Sequence, residues 1–193
     1  GLVASSFLYG GTIDNSFITP SDLRAFHPSL KNFQRQIFLS TRFNGTHRHI
    51  DIPHLTIASE AGDINLSANG FIDSWQDKTP AWNLNLNHLL LSETIIDFLH
   101  KNIEAIPEEA TRIGSLKLSG QFSGAHSGEM TVRGTIVSGI GDADINLHKN
   151  SNNLFEGTIT TPQFDLRQLT GNDSFGKIIA DLTLTGQLRS VGL

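Results

Sequence analysis

The chain has 193 residues, a formal net charge of −5 at pH 7 and no cysteine. This length allows one domain, or two, with a sizeable hydrophobic core. Only 14 residues are Lys or Arg, and they form no basic cluster, which argues against a nucleic-acid partner. The lack of cysteine excludes a disulfide scaffold, thiol catalysis and cysteine-ligated zinc. No apolar run is long enough for a transmembrane helix and no signal peptide opens the chain, so we expect an internal piece of a longer protein.

The composition favours β structure. Ser, Thr and Asn supply about a quarter of the residues, and 18 glycines and 12 phenylalanines are spread along the chain.

In chain order, the first predicted element is a short helical turn over 20–26, which Pro28 ends. The clearest strand follows at 63–72, where Ile64 and Leu66 alternate with the polar Asn65 and Ser67. The same period of two recurs in later strands, and their apolar positions are Leu84, Leu86, Leu116, Leu118, Phe122, Ile145, Leu147, Leu182 and Leu184. Such alternation predicts antiparallel strands with one apolar and one polar face.

Two further short helices are expected. Ser92 and Glu93 supply start signals for a helix that reaches about Ile103, with Ile95, Ile96, Phe98 and Leu99 at helical spacing. A shorter turn covers 165–169 and ends near Gly171. Neither is long enough to be stable alone in water, so both should dock on the sheet.

Several fragments recur in the same order, which predicts an internal repeat. The Asp-Leu-Arg triplet at 22–24 returns at 165–167, and 63–66 returns at 144–147. The strand at 39–45 resembles 118–124 and, more weakly, 184–188. We expect one continuous body of repeated units at about 1–80, 81–154 and 155–193, although chance similarity among β strands is an alternative.

These segments also resemble a known family. Residues 18–26 read ITPSDLRAF, 39–46 read LSTRFNGT, 54–59 read HLTIAS and 63–70 read DINLSANG. This pattern resembles the periplasmic repeats of TamB-like proteins, of the AsmA-like superfamily, in their Bacteroidetes form. The resemblance implies a long chain anchored in the inner membrane, a taco-shaped β groove across the periplasm, and lipid passing along it. It also implies a β-barrel partner of the outer-membrane assembly superfamily, bound by another part of the full-length chain.

We therefore expect a mainly β fold, a repeat-built, curled and partly open antiparallel sheet with two or three short helices. The expected groove residues are the alternating apolar ones, Ile64, Leu66, Leu84, Leu86, Leu116, Leu118, Phe122, Ile145, Leu147, Leu182 and Leu184. Phospholipid acyl chains are the expected partner, and outer-membrane protein biogenesis is a second possible role. If the groove is open, aspartate at Leu86 or Leu118 should be tolerated, whereas a closed core would not accept it.

Two other groups of polar residues give weak support for a metal site. His47 and His49, with His54 and Asp51 nearby, could ligate zinc, but solvent-facing strand positions are the simpler interpretation. The segment 139–144 faintly resembles a glycine-aspartate calcium loop, and a turn entering a strand explains it better.

No pattern predicts an enzyme or a cofactor. Glu104, Glu108 and Glu109 surround Pro107 without a convergent partner, and no nucleophile elbow, phosphate loop or dinucleotide motif occurs. The alternative to the groove is a β-sandwich or solenoid binding module with a closed core. Such a module would need aromatic platforms, and the chain has only two Trp and one Tyr.

Overall fold

The computed structural model describes residues 8–19, 22, 28, 33 and 35–187. Within them, ten strands form one antiparallel sheet whose spatial order equals the chain order, and the first and last strands do not pair with each other. The mainly β antiparallel prediction is confirmed. The strands are β1 Tyr9–Ile18, β2 Ile37–Gly45, β3 His49–Ser59, β4 Ile64–Asp73, β5 Ala81–Leu91, β6 Leu116–Gly124, β7 Met130–Ser138, β8 Gly141–Lys149, β9 Leu154–Asp165 and β10 Lys177–Gln187.

Both later helices form where the sequence predicts them. Helix α1 covers Glu93–Asn102, and the Ser92 side chain accepts a hydrogen bond from the backbone N–H of Ile95. Helix α2 covers Leu166–Thr170, with Asp165 as its N-cap and Gly171 ending it in a left-handed conformation. A 3₁₀ helix, Glu108–Ile113, follows α1. The predicted turn over 20–26 lies outside the described residues apart from Asp22, whose carboxylate accepts from the backbone and hydroxyl of Thr19.

The two ends of the sheet differ in their connections. At the end where β5 stops and β6 begins, the connections include α1, the 3₁₀ helix and α2; we call this the helical end. At the opposite end, short loops join β2 to β3, β4 to β5, β6 to β7 and β8 to β9; we call this the hairpin end. The helix-bearing connections from β5 to β6 and from β9 to β10 are four strands apart, and a tight turn joins β7 to β8 between them.

The main buried cluster lies at the helical end. Phe33, Ile37 and Ile95 pack together, and Phe98 and Leu99 of α1 lie against them, with the Phe33 and Phe98 rings edge to face at 5.1 Å. This confirms that α1 docks through its apolar side. An ion pair of 2.9 Å between Arg35 and Asp63 joins two neighbouring connections at this end.

The 3₁₀ helix and α2 also contact each other at the helical end. The Arg112 guanidinium donates to the backbone carbonyl of Leu169, and the Gln168 amide donates to the carbonyl of Arg112. The helical elements therefore form a row along this end of the sheet. In the part of the chain that the structure describes, no helix has both the length and the apolar character that crossing a membrane requires.

Candidate functional site

The strand register places apolar residues in continuous rows across the sheet. Directly paired residues of neighbouring strands point to the same side, so the rows can be followed from β3 to β10. The outer row, nearer the hairpin end, contains Ile52, Gly70, Leu84, Phe122, Val132, Leu147, Gly157 and Leu184. The central row contains Leu55, Ala68, Leu86, Gly120, Gly134, Ile145, Ile159 and Leu182.

No polar side chain interrupts either row across eight strands. With strands about 4.8 Å apart, each row is about 34 Å long. We call the side of the sheet that carries both rows the apolar face.

All eleven residues expected to line a groove lie on the apolar face. Leu84, Leu86, Phe122, Ile145, Leu147, Leu182 and Leu184 belong to the two rows. The remaining four lie nearer the helical end, in two further sets of cross-strand pairs on the same face: Ile64 with Leu91 and Leu116, and Leu66 with Leu89 and Leu118. The strand register thus brings together residues up to 120 positions apart in the sequence, from Ile64 to Leu184.

Local irregularities do not turn the apolar residues away from this face. The pairing of β5 with β6 shifts between Leu86 and Leu89, and the alternation in the sequence changes parity at the same point. Leu84 and Leu86 before the shift, and Leu89 and Leu91 after it, therefore share one face.

Burial on the apolar face is uneven. Leu86 is only 5% exposed, and Ala68, which pairs with it on the neighbouring strand, is 2% exposed. Leu84 is 36% and Leu182 is 46% exposed. The other eight expected residues are half-buried. Leu86 is therefore buried, which removes the premise that it faces an open groove, so we now predict that aspartate is not tolerated there. Leu118 stays half-buried, so the expectation for that residue remains a prediction.

An open cavity of about 240 Å³ lies on the hairpin side of this face. Its lining is nearly all apolar, and the two rows contribute much of its wall. The lining side chains on the apolar face are Ile52, Leu55, Ala68, Ile72, Trp82 and Leu84.

Glycines in the rows allow neighbouring strands to approach each other closely. A β-carbon added at Gly70 would overlap the backbone carbonyl oxygen of Asn83, and one added at Gly120 would overlap that of Arg133. In both cases the obstructing atom is backbone of the adjacent strand, so a side chain cannot be accommodated by a rotamer change. The chain thus needs glycine at these positions of the apolar face.

The opposite face of the sheet is mainly polar. It carries Asn65, Asn83, Asn85, Lys117, Gln121, Arg133, Asp144, Asn146, Thr158 and Thr183, which pair with one another across neighbouring strands or alternate with the apolar rows. Phe71 also points this way, and its ring stacks on that of His49 at 5.7 Å.

The possible zinc ligands do not converge. His47 lies in the turn before β3, so only His49 of that pair is on a strand, and His54 lies beyond a register shift, opposite Arg42. Among residues 8–19, 22, 28, 33 and 35–187, no group of three or more histidines and carboxylates is arranged to hold a metal ion. Of the three glutamates after α1, Glu108 forms an ion pair with Arg112 at 3.1 Å. Gly141 begins β8 directly after a tight turn, as the simpler interpretation of 139–144 predicts.

A charged cluster at the hairpin end has no signal in the sequence. The Asp73 carboxylate lies 3.4 Å from His49 Nδ1 and 3.3 Å from His126 Nε2. The hydrogen bond from His126 holds the pKa of Asp73 below its usual value. The pKa of His126 is raised, first by its hydrogen bond to the Thr79 carbonyl and then by its bond to Asp73.

Comparison of the chain with protein-family models, with curated proteins and with solved structures found no match.

Proposed function

We propose that this chain is a segment of a periplasmic, inner-membrane-anchored protein of the TamB-like type, whose curled sheet shields lipid acyl chains between the two membranes. Its mechanism is burial of hydrocarbon and involves no catalysis or cofactor. A role in outer-membrane protein biogenesis, with a β-barrel partner bound elsewhere on the full-length chain, belongs to the same proposal. The observation that carries it is the pair of apolar rows that cross eight strands and stay partly open.

The dimensions of the rows suit an acyl chain. One chain spans about half of the ~30 Å hydrocarbon core of a bilayer, and each row is about 34 Å long. Burial contributes about 0.8 kcal/mol per methylene. Only Leu, Ile, Val, Phe and Gly follow one another along these parts of the rows, so no polar group there would stop a sliding chain.

The close approaches at Gly70 and Gly120 support curvature. In each case the backbone of the neighbouring strand occupies the space that a side chain at the glycine would fill on the apolar face. A sheet bent in this direction is concave on its apolar face, which is the geometry a lipid groove needs. The helical elements then cover one rim, and the polar face, which carries Asn, Thr and charged residues, remains in water.

The positions of the connections support the repeat. The similar fragments at 39–45 and 118–124 fall in β2 and β6, and the described part of the fragment at 184–188 falls at the end of β10. The strands β6 and β10 each follow a helix-bearing connection. The similar fragments at 63–66 and 144–147 lie at the start of β4 and within β8, which are two strands after β2 and two strands after β6. A four-strand unit accounts for this spacing, with β2–β5 as one copy and β6–β9 as the next.

A closed binding module is the competing class. It would need a second layer over the apolar face, and in the described residues all ten strands belong to one sheet. Its aromatic platform would also be small, since Trp82 faces the apolar cavity and Trp75, 47% exposed in the β4–β5 connection, is the one other tryptophan of the chain.

Native mass spectrometry of the gently purified chain, followed by lipid extraction, distinguishes the two classes. We expect adducts with the mass of phospholipid that disappear after delipidation and return on incubation with phospholipid vesicles. A clean chain mass before and after incubation would contradict the proposed function and favour the closed module.

A further inference from the structure

Reciprocal hydrogen bonds join two loops at the hairpin end. Thr79, between β4 and β5, donates from Oγ1 to the backbone carbonyl of His126 over 2.9 Å. His126, between β6 and β7, in turn places Nδ1 2.8 Å from the backbone carbonyl of Thr79. Its other ring nitrogen, Nε2, lies 3.3 Å from Asp73 Oδ2. One imidazole therefore contacts both the start and the end of the β4–β5 connection.

The protonation state of His126 decides how many of these contacts are hydrogen bonds. The Thr79 carbonyl and the Asp73 carboxylate are both acceptors, and a neutral imidazole carries one N–H, so it satisfies only one of them. The imidazolium carries two and satisfies both. We propose that His126 is a pH-operated latch, which in its cationic form fastens the β6–β7 loop to the β4–β5 connection and in its neutral form gives up one of the two bonds.

The surrounding charges favour the cation. The ionisable groups on the neighbouring elements are Asp73 on β4, Asp77 and Lys78 in the β4–β5 connection, Arg48 and His49 beside them, and Glu129 next to β7. Lys149 of β8 also donates to the backbone carbonyl of Gly128 in the β6–β7 loop over 2.7 Å. Arg48 lies 3.5 Å from Asp77, so the negative charge of Asp77 partly offsets the positive charge of Arg48. Asp73 makes the direct contact with His126.

The sign of the pH dependence follows from the two shifted groups. The pKa of His126 is raised from 6.5, so its contribution is complete below 6.5 and disappears as the pH rises through the folded value. The pKa of Asp73 is lowered from 3.8, so its contribution is complete above 3.8 and disappears as the pH falls through the folded value. The latch is therefore closed at mildly acidic pH and opens on the alkaline side.

The latch lies beside the apolar cavity. Trp82 lines that cavity, and its indole lies across Gly124, where an added β-carbon would overlap it. Gly124 is the last residue of β6, two positions before His126. Loosening the β6–β7 loop would release the end of β6 against which the Trp82 indole packs, and the freed indole would widen the cavity. Only this consequence for lipid rests on the proposed function.

The test follows Trp82 fluorescence in the chain with Trp75→Phe, which leaves Trp82 as the sole tryptophan. We expect the acrylamide quenching constant to be about twofold higher at about pH 8.5 than at about pH 5.5, following the neutralisation of one histidine. His126→Gln in the same background should show the higher quenching at both values. His88→Gln, an exposed histidine bonded to Asn65, should behave like the parent.

NMR titration gives the second measurement. The pKa of His126 should lie above its ordinary value of 6.5, and Asp73→Asn should lower it. A His126 pKa at or below 6.5, or one unchanged by Asp73→Asn, would overturn the latch, as would pH-independent quenching in a folded chain. None of these measurements contains lipid, so their failure is separate from the failure of the proposed function.

Discussion

Truncation of Ile95 to alanine is expected to lower the free energy of unfolding by about 2–5 kcal/mol, the usual cost of emptying a buried aliphatic site. Ile95 is 2% exposed and belongs to the cluster with Phe33 and Ile37 that fixes α1 to the helical end. Urea unfolding followed by circular dichroism measures the change.

The matched control is Leu182→Ala. Leu182 is an aliphatic residue of the apolar face with 46% exposure, so its truncation should cost less than about 1 kcal/mol. Equal losses for the two variants would mean that the helical end is not the main source of stability.

Aspartate substitutions at Leu84 and Leu86 should give opposite outcomes although the two residues are neighbours on one face. Leu86 is 5% exposed between Ala68 and Gly120, and an unpaired buried carboxylate costs several kcal/mol, a large part of a total stability of about 5–15 kcal/mol. Leu86→Asp should therefore yield insoluble or molten protein.

Leu84 is 36% exposed at the edge of the apolar cavity, so Leu84→Asp should fold cooperatively. It should retain about tenfold less phospholipid, because a bound acyl chain would desolvate the carboxylate at a cost above ~1.4 kcal/mol. Thermal unfolding and quantification of extracted lipid measure the two effects. Asn85→Asp, on the polar face, should alter neither, and a folded Leu84→Asp chain with undiminished lipid would contradict the role of this cavity.

The sheet was largely predictable because its signal is local. In a strand with one apolar face, apolar and polar residues must alternate. Pairs such as Leu116 and Leu118, or Ile145 and Leu147, show this alternation within a few positions of the sequence. The helix start at Ser92 and the glycine end at Gly171 are equally local, since capping depends on the first and last turn alone.

Differences in burial along the apolar face were not predictable from the same pattern. Leu84 and Leu86 are chemically identical and two residues apart, yet one is open and the other sealed. The directly paired residues are Gly70 and Phe122 for Leu84, and Ala68 and Gly120 for Leu86. The smaller partners therefore accompany the buried residue, so the size of the paired side chains alone does not set the burial. Cross-strand partners follow from the register, which a single sequence leaves undetermined.

Contacts between connections that lie far apart in the sequence were not predictable either. Phe33 stands in the β1–β2 connection and gives no periodic signal, although it completes the cluster under α1. The contact between Asp73 and His126 joins residues 53 positions apart. Both arise only because alternate connections of an antiparallel sheet meet at the same end.

Site-specific photo-crosslinking tests the lipid groove most directly. A photoreactive residue is placed singly at Leu118, Ile145 or Leu184 on the apolar face, and at the adjacent Lys117, Asn146 or Thr183 on the polar face. The account predicts phospholipid adducts at the first three positions and none at the second three, in chains that unfold cooperatively. Adducts of equal yield on both faces, or none on the apolar face of chains loaded from phospholipid vesicles, would contradict it.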